Sequence, residues 1–158
     1  MKIVVLYDSL YGNTEVIAQL IGNVLKKQGE VAVTRAGTLF VDQLAGIDML
    51  IVGSPTQQFR PTIGMRNFLN KIPKNGLQGI KVAAFDTRLT WQEIEKSPPL
   101  PFFVRIFGYA AERIAKKLKS KGGELVLAGE GFYVEGMKGP LAKGELDRAE
   151  EWAQKLFA

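Results

Sequence analysis

The 158-residue chain contains neither cysteine nor histidine. Their absence excludes disulfides, thiol nucleophiles, histidine-containing catalytic triads and the usual zinc and haem ligand sets. Any acid–base chemistry would have to come from carboxylates, lysines and tyrosines, and we predict no catalytic residue and no metal site. A chain so poor in reactive side chains either binds a ligand or takes its chemistry from a cofactor.

Long apolar runs are also missing. No run approaches the roughly 20 residues that a helix needs to cross a bilayer. Residues 1–3 lead directly into an apolar stretch, without room for a signal peptide. We therefore expect a cytoplasmic protein that does not insert into a membrane. The composition, 46% hydrophobic and 23% charged, is ordinary for a globular protein and predicts one domain over residues 1–158.

Acidic residues are fewer than basic ones, 16 against 21, which gives a formal charge of +5. Such a balance raises nucleic acid as a candidate partner. The densest basic stretch, residues 113–121, alternates with Ile114, Ala115 and Leu118, which is typical of the solvated face of an amphipathic helix. No aromatic–basic platform accompanies it. We expect no nucleic-acid binding.

Two well-known phosphate loops, G-x-x-x-x-G-K-[ST] and G-x-G-x-x-G, are absent. A different polar turn lies between an apolar run at 3–6 and a helix-periodic segment at 16–25. It consists of Ser9, Leu10, Tyr11, Gly12, Asn13 and Thr14. A strand-to-helix turn exposes backbone N–H groups at a helix N-terminus, where an anion is favoured. The turn therefore predicts a site for one phosphate monoester, the alternative being an ordinary capped turn.

The rest of the chain alternates between strand and helix patterns. Apolar runs predict strands at 3–6, 31–33, 49–52, 82–85 and 125–127, the last resuming at 132–134 after a glycine-rich break. Apolar periodicity predicts helices at 16–25, 65–72, 106–118 and 146–156, a short helix at 41–44 and an irregular region through Pro98, Pro99 and Pro101. The last helix is predicted to turn Leu146 and Trp152 to the same face, and Trp152 is interpreted as a packing residue.

This alternation predicts an α/β fold with three layers, a doubly wound five-stranded parallel sheet covered by helices on both sides. Right-handed crossovers leave few topologies, and the order 2-1-3-4-5 is the best match. In that order a ligand lies at the carboxyl ends of strands 1 and 3. The polar turn at 9–14 lies at one of these two ends.

The polar turn resembles the flavodoxin signature S/T-x-x-G-N-T through Ser9, Gly12, Asn13 and Thr14. The resemblance implies that FMN is the cofactor and that this turn wraps its phosphate. It extends over nearly the whole chain, since residues 130–134 and 138–146 also resemble a branch of flavodoxin-domain proteins.

The loop after strand 3 resembles the variant of flavodoxin-like oxidoreductase domains. The resemblance implies contacts to the ribityl chain and the N5 side of the flavin from Ser54, Pro55, Thr56, Gln57, Gln58 and Phe59. Phe59 or the stem of Arg60 would cover the ring, and the alternative is a plain surface loop. Many flavodoxins have a tryptophan and then a glycine here, and that glycine permits a peptide flip that stabilises one-electron-reduced flavin. Gln57 and Gln58 stand in this position, which favours two-electron chemistry.

The loop after strand 4 resembles the Phe-Asp-Thr-Arg form of the same branch. By this resemblance Asp86, Thr87 and Arg88 would border the flavin pyrimidine, where a cation raises the reduction potential. The alternative is a surface ion pair between Asp86 and Arg88, which would contribute little. Trp91 is the candidate for an outer stack, and covering a hydrophobic flank is its alternative role.

Three functions remain open. The first is an FMN-dependent electron carrier whose basic surface docks on an acidic partner, such as a ferredoxin-like protein or a reductase. The second is an FMN-dependent reductase that uses NADH or NADPH to reduce quinones, and the third is a binding module that has lost FMN. A receiver-type signalling domain ranks last, because Asp8 stands alone where that fold needs a cluster of acids.

Overall fold

Six strands form one parallel sheet in this computed structural model, which describes residues 1–158. The strands are β1 Lys2–Tyr7, β2 Glu30–Arg35, β3 Met49–Pro55, β4 Lys81–Leu89, β5 Glu124–Leu125 and β6 Glu130–Val134. The path β2-β1-β3-β4-β5 confirms the predicted order, and β6 pairs with β4 as well.

β5 and β6 are two parts of the predicted fifth strand. β5 pairs with the start of β4, through Lys81 and Val82, whereas β6 pairs with its end, from Phe85 to Leu89. Both pairings are parallel, so the chain leaves the ladder after β5 and rejoins it on the same edge. The predicted break and resumption are confirmed.

Six α-helices and one short 3₁₀ helix, Val41–Leu44, connect the strands. The α-helices are α1 Asn13–Leu25, α2 Ile63–Lys71, α3 Trp91–Glu95, α4 Leu100–Phe107, α5 Ala110–Ser120 and α6 Glu145–Lys155. None of them is long and apolar enough to span a membrane.

The region predicted as irregular, together with the start of the long helix, is different in the structure. α3 and α4 occupy it, and α4 begins at a proline-rich segment, as helix N-termini commonly do. Gly108 ends α4 with a φ of 71°, a left-handed conformation that glycine adopts easily. Ile106 therefore belongs to α4 and is exposed, instead of facing the core from α5.

Apolar side chains cover both faces of the sheet. Val4, Leu50 and Val82 point to the face covered by α2 and α5, whereas Ile3 and Ile51 point to the face covered by α1 and α6. This alternation explains why the strand sequences are apolar without interruption.

The α6 side of the sheet is closed by three aromatic rings. Phe85, Phe132 and Trp152 have centroids 6.1–6.2 Å apart and meet edge to face. The packing role of Trp152 is confirmed. Leu146, which was expected on the same face, is instead about half exposed on the first turn of α6.

Candidate functional site

A cavity of about 330 Å³ opens at the carboxyl edge of the sheet. Ligand cavities in proteins span roughly 300–1,000 Å³, so this one falls within the range. Its lining comprises Ser9, Leu10, Tyr11, Asn13, Thr14, Pro55, Thr56, Gln57, Gln58, Thr87, Arg88, Leu89, Val134 and Met137. The structure therefore gathers the residues after β1 and β3 and the end of β4 around one space.

The turn after β1 owes its shape to Gly12. This residue caps α1 with φ 92° and ψ −8°, the left-handed region that most side chains disfavour. Its N–H donates to the Ser9 hydroxyl at 3.1 Å, and its carbonyl accepts the first helical bond from the N–H of Val16, also at 3.1 Å. The turn is thereby closed without using the remaining amides.

Five backbone N–H groups of this turn, those of residues 10, 11, 13, 14 and 15, donate to no protein acceptor. They lie at the positive end of a 13-residue helix, where the dipole favours a negative charge. The Ser9 side chain is buried and its oxygen accepts from Gly12, so its O–H is free to donate. The arrangement suits an oxyanion held by neutral donors.

Two threonine hydroxyls form the floor of the cavity. The Oγ1 atoms of Thr14 and Thr87 are 2.8 Å apart, and both residues are buried. One hydroxyl donates to the other, which leaves one O–H for a ligand. This contact also joins the turn after β1 to the end of β4.

Asn13 reaches across the cavity mouth to a different loop. Its side-chain amide donates to the carbonyl of Lys138 at 3.2 Å, and a Cβ at Gly139 would lie 2.6 Å from its Oδ1. The Lys138 ammonium lies 5.9 Å from the centre of the Tyr11 ring, within the range of a weak cation–π contact. This hydrogen bond therefore holds the loop between β6 and α6 against the mouth of the cavity.

Asp8 supports the turn from below. Its carboxylate accepts from the Ser9 N–H at 2.9 Å and from the Thr62 hydroxyl at 2.5 Å, and the Nε of Arg35 lies 3.5 Å away. Arg35 also donates to the Ser9 carbonyl. From the sequence, Asp8 was considered only as an acid of a signalling domain, and nothing in its sequence context indicates this supporting role.

The loop after β3 is a tight hairpin. The N–H and C=O groups of Gln57 and Arg60 exchange two hydrogen bonds, at 2.8 and 2.9 Å. The two residues between them, Gln58 and Phe59, have φ angles of 47° and 69°. Left-handed conformations at two successive non-glycine residues carry strain, which is common at functional sites.

Two residues predicted for this part of the site, Ser54 at the end of β3 and Phe59 in the hairpin, lie outside the cavity. Ser54 is fully buried. Its hydroxyl accepts from the Thr62 N–H at 3.0 Å and donates to the Pro55 carbonyl at 3.0 Å, so both its capacities are used within the protein. The Phe59 ring packs against Phe107, with centroids 5.4 Å apart, because the left-handed turn directs it towards α4. Ser54 and Phe59, which were predicted to contact the flavin, therefore do not line this cavity, and their contact with a flavin stays a prediction.

The end of β4 departs most from the prediction. Asp86 is completely buried, and its carboxylate accepts two hydrogen bonds from Arg88, at 2.7 and 2.8 Å, and one from the N–H of Ala111 at 2.8 Å. It thus satisfies the N-terminus of α5, together with Thr56, whose hydroxyl accepts from the N–H of Ala110 at 3.0 Å. The Asp86 carboxylate has no contact with the cavity.

The expected alternative, an ion pair between Asp86 and Arg88, does form, but in the interior instead of on the surface. Burial raises the pKa of Asp86, while Arg88 and the Ala111 amide oppose that shift. Burial alone would lower the pKa of Arg88, and Asp86 holds it above its ordinary value. The guanidinium also stacks 3.7 Å from the centre of the Tyr109 ring. Asp86 and Tyr109 therefore hold the Arg88 guanidinium in place next to the cavity.

Trp91 is the first residue of α3 and does not line the cavity. It has the Arg105 guanidinium 5.7 Å from its ring centre. Trp91 thus contacts α4, and both its outer stack on a flavin and its role on a hydrophobic flank stay predictions. Three lining residues, Leu89, Val134 and Met137, were not predicted. The extension of β4 and the resumption of the fifth strand carry Leu89 and Val134 to the same edge as the turn.

The flavodoxin domain family matches residues 4–133 of the chain. The chain belongs to the flavodoxin family. The resemblance in the turn after β1 is thus confirmed over most of the sequence, and the family consists of FMN-binding electron-transfer proteins. No curated protein matches the chain.

Solved flavodoxins share the fold. Oxidised flavodoxin 2 from Bacillus cereus matches with a TM-score of 0.75 at 23% identity, covering 99% of this chain and 97% of its own. Flavodoxin 1 from the same organism gives 0.76 at 18% identity, with the same coverage of 99% and 97%. A flavodoxin from the domain Archaea gives 0.74 at 23%, covering 99% and 96%. At these identities the likeness concerns the fold.

The cavity has the chemistry that FMN requires. A flavodoxin cofactor brings one phosphate monoester, and the turn after β1 offers five unpaired N–H groups and a free hydroxyl. The apolar rim contains Leu10, Tyr11 and Met137, which are between 49% and 76% exposed and so remain available to a planar ring. The residues present fit the family cofactor.

Proposed function

We propose that this chain is an FMN-binding electron carrier that passes electrons between protein partners. The observation that carries the proposal is the row of unpaired N–H groups at the start of α1, beside the buried hydroxyls of Ser9 and Thr14. A helix N-terminus binds phosphate, and this turn lacks the lysine with which a P-loop holds a triphosphate, so it suits a single phosphate. FMN supplies the redox chemistry, and the protein supplies binding, orientation and electrostatics.

The residues divide by the part of the cofactor they would hold. Ser9, Gly12, Thr14 and the amides between them would bind the phosphate. The segment 55–58 would line the ribityl chain, while Thr87 and Arg88 would border the pyrimidine. Leu10, Tyr11 and Met137 would cover the exposed ring.

The electrostatic influence of Arg88 on the cofactor is smaller than a lone cation would give. Its charge is compensated at 2.7 Å by Asp86, so the pair presents a dipole to the cavity in place of a full positive charge. We therefore expect a modest change in reduction potential when Arg88 is replaced.

An acidic docking surface on the partner is expected from the charge. The chain carries +5, and one exposed cation, Lys138, lies at the cavity mouth, where its backbone contacts Asn13 and its ammonium lies 5.9 Å from the Tyr11 ring centre. A ferredoxin-like protein or an acidic face of a reductase would be attracted to such a surface. Electron transfer should then slow as salt rises, and rates independent of salt would contradict the steering.

The first experiment is a visible spectrum of the purified protein after FMN has been added and the excess removed, followed by anaerobic titration with a reductant. Flavin bands that stay with the protein, and reduction in two one-electron steps, are expected of a carrier. A colourless protein that ignores FMN would overturn the proposal and leave a module without cofactor.

The hairpin after β3 favours a second candidate, an FMN-dependent reductase of quinone-like acceptors. Its two hydrogen bonds and its lack of glycine oppose a peptide flip next to the flavin, and this favours direct two-electron reduction. Rapid bleaching of the bound flavin by NADH or NADPH would support the reductase over the carrier.

The cytoplasmic location and the single domain stay predictions.

A further inference from the structure

A second cavity, of about 260 Å³, lies between α2 and α5. Four of its seven lining residues are cationic, and none is acidic. The cations are Arg60, Arg66, Arg113 and Lys117. They come from three separate parts of the chain, the loop after β3, helix α2 and helix α5, so the fold and not a local run of basic residues brings them together.

None of these four cations has a counter-ion in the protein. The ion pairs of the chain, with nitrogen and oxygen within 4.0 Å, involve other residues. Arg113 and Lys117 stand at i and i+4 on α5, where like charges repel each other. Four positive charges without counter-ions around one concave space repel each other and attract an anion.

Arg66 adds an independent observation. Its Nε is buried and has no hydrogen-bond partner, and it is the one buried side-chain nitrogen or oxygen in the chain in this condition. A buried donor without a partner is costly and rare in folded proteins. Arg113 is positioned differently, because one of its Nη atoms donates to the Phe107 carbonyl at 3.1 Å, which fixes the guanidinium at the end of α4.

We propose that this cavity binds a phosphate-type anion, the phosphate or diphosphate group of a small molecule. Guanidinium groups present planar pairs of donors that match phosphate oxygens, and three of the four cations are arginines. The amide of Asn70, one turn beyond Arg66 on α2, supplies a neutral donor at the same wall. The Nε itself is closed off from solvent, so an anion in the recess would bind the other guanidinium nitrogens of Arg66 together with its neighbours.

The anion site is distinct from the cofactor cavity and does not depend on FMN. Arg60 lies at the base of the hairpin whose other residues, Gln57 and Gln58, line the first cavity. The two sites therefore share the hairpin but no lining residue.

Titration calorimetry with inorganic pyrophosphate tests the proposal, using FMN-saturated protein so that the turn after β1 is occupied. Chloride at matched ionic strength is the reference. We expect the dissociation constant to rise about tenfold or more in Arg66→Gln, because one charge-assisted hydrogen bond is removed. Since Arg66 is partly buried, Arg60→Gln, at an exposed residue, is the second variant and should weaken binding in the same direction.

Lys119→Gln is the matched control. Lys119 is exposed on α5, two residues beyond Lys117, and lies outside the cavity, so its loss removes the same charge without removing a contact. ADP beside pyrophosphate distinguishes the sources: tighter binding of ADP indicates a nucleotide, and equal binding a free diphosphate.

Three results would overturn the proposal: no heat with millimolar pyrophosphate, an equal loss in Lys119→Gln, or binding abolished by Thr14→Val with Arg66→Gln unaffected. The last result would assign the anion to the first cavity. If the protein does not retain FMN, the same comparison of variants still decides the question.

Discussion

The turn after β1 leaves five backbone N–H groups without a protein acceptor, whereas the end of β4 satisfies its polar side chains internally. Both segments are polar, come after an apolar strand and end at the same edge of the sheet. The difference lies in the helix N-terminus that each segment contacts. α1 begins at Asn13, directly after the turn, and keeps its first amides free. α5 follows β4 only after α3 and α4, and takes Asp86 and Thr56 as N-terminal acceptors.

This comparison shows that two helix N-termini can have opposite uses within one fold. The amides of α1 are available to a ligand because no side chain caps them. The first two amides of α5 are occupied by Thr56 and by the buried Asp86, and so α5 contributes stability to the site instead of binding capacity. Substitutions that change one segment at a time can separate the two uses.

The largest effect is expected at the buried ion pair. Asp86→Asn leaves the Arg88 guanidinium largely buried without its counter-charge and weakens the acceptor of the Ala111 N–H. Breaking a buried pair in this way costs about 3–5 kcal/mol of unfolding free energy. Urea denaturation of the FMN-free protein measures it, and a loss below about 1 kcal/mol would show that the pair is not a stability element.

A double-mutant cycle with Arg88→Gln identifies the cause. If the ion pair is responsible, the double variant loses clearly less than the sum of the two single losses, because neither partner is then left alone. Additive losses would assign the effect to the packing of each side chain separately.

The sequence predicted the fold and the first loop well, and the third loop poorly. Apolar runs, helix periodicity and right-handed crossovers determine the strand order, and the spacing Ser9-x-x-Gly12-Asn13-Thr14 indicates the turn. Asp86 and Arg88 carry no comparable local signal. Whether a charged pair faces a ligand or the interior depends on where α5 begins, and that beginning depends on Gly108, which was predicted to lie inside a helix. The position of Phe59 outside the cavity could not be predicted for a similar reason, because its packing partner α4 was not predicted.

Gly131→Ala tests the Asp86–Arg88 pair from the neighbouring strand β6, where Gly131 pairs with Asp86. A Cβ there would lie 2.0 Å from Nε and 2.1 Å from Cζ of Arg88, whose guanidinium cannot withdraw because Asp86 and Tyr109 hold it. Such overpacking costs about 1–3 kcal/mol. Thermal and urea unfolding should show that cost in the parent protein and a smaller one in an Arg88→Ala background. An equal cost in both backgrounds would assign it to the β6 backbone.

Thr14→Val tests the binding side of the comparison. The change keeps the shape of the side chain but removes the hydroxyl that faces the cavity floor 2.8 Å from Thr87. We expect FMN affinity to fall about tenfold, equivalent to ~1.4 kcal/mol, with a loss of about 1 kcal/mol in unfolding free energy because Thr87 loses its partner. Quenching of flavin fluorescence on binding measures the affinity. The matched control is Thr38→Val, which removes one hydroxyl of an exposed Thr34–Thr38 pair 2.9 Å apart and should leave FMN binding unchanged.

The smallest effect is expected at Glu145, whose ion pair is a less buried counterpart of Asp86–Arg88. Burial opposes ionisation of Glu145, but hydrogen bonds from Arg148 and from the Tyr133 N–H outweigh it and hold the pKa below the ordinary 4.5. Because the folded-state pKa is lowered, the carboxylate stabilises the fold at pH values above about 4.5, and that contribution is lost as the pH falls through the folded pKa.

Glu145→Gln should therefore lower the unfolding free energy by about 0.5–1 kcal/mol at neutral pH and by progressively less below pH ~4.5. Urea unfolding of both proteins between pH 7 and 3 measures the difference. Glu150→Gln, at an exposed residue of α6 without an ion pair, should show no such trend. A difference between Glu145→Gln and the parent that stays constant down to pH 3 would mean that shape, not charge, joins α6 to β6. The Glu145–Arg148 pair would then differ from the Asp86–Arg88 pair in contributing through packing and not through charge.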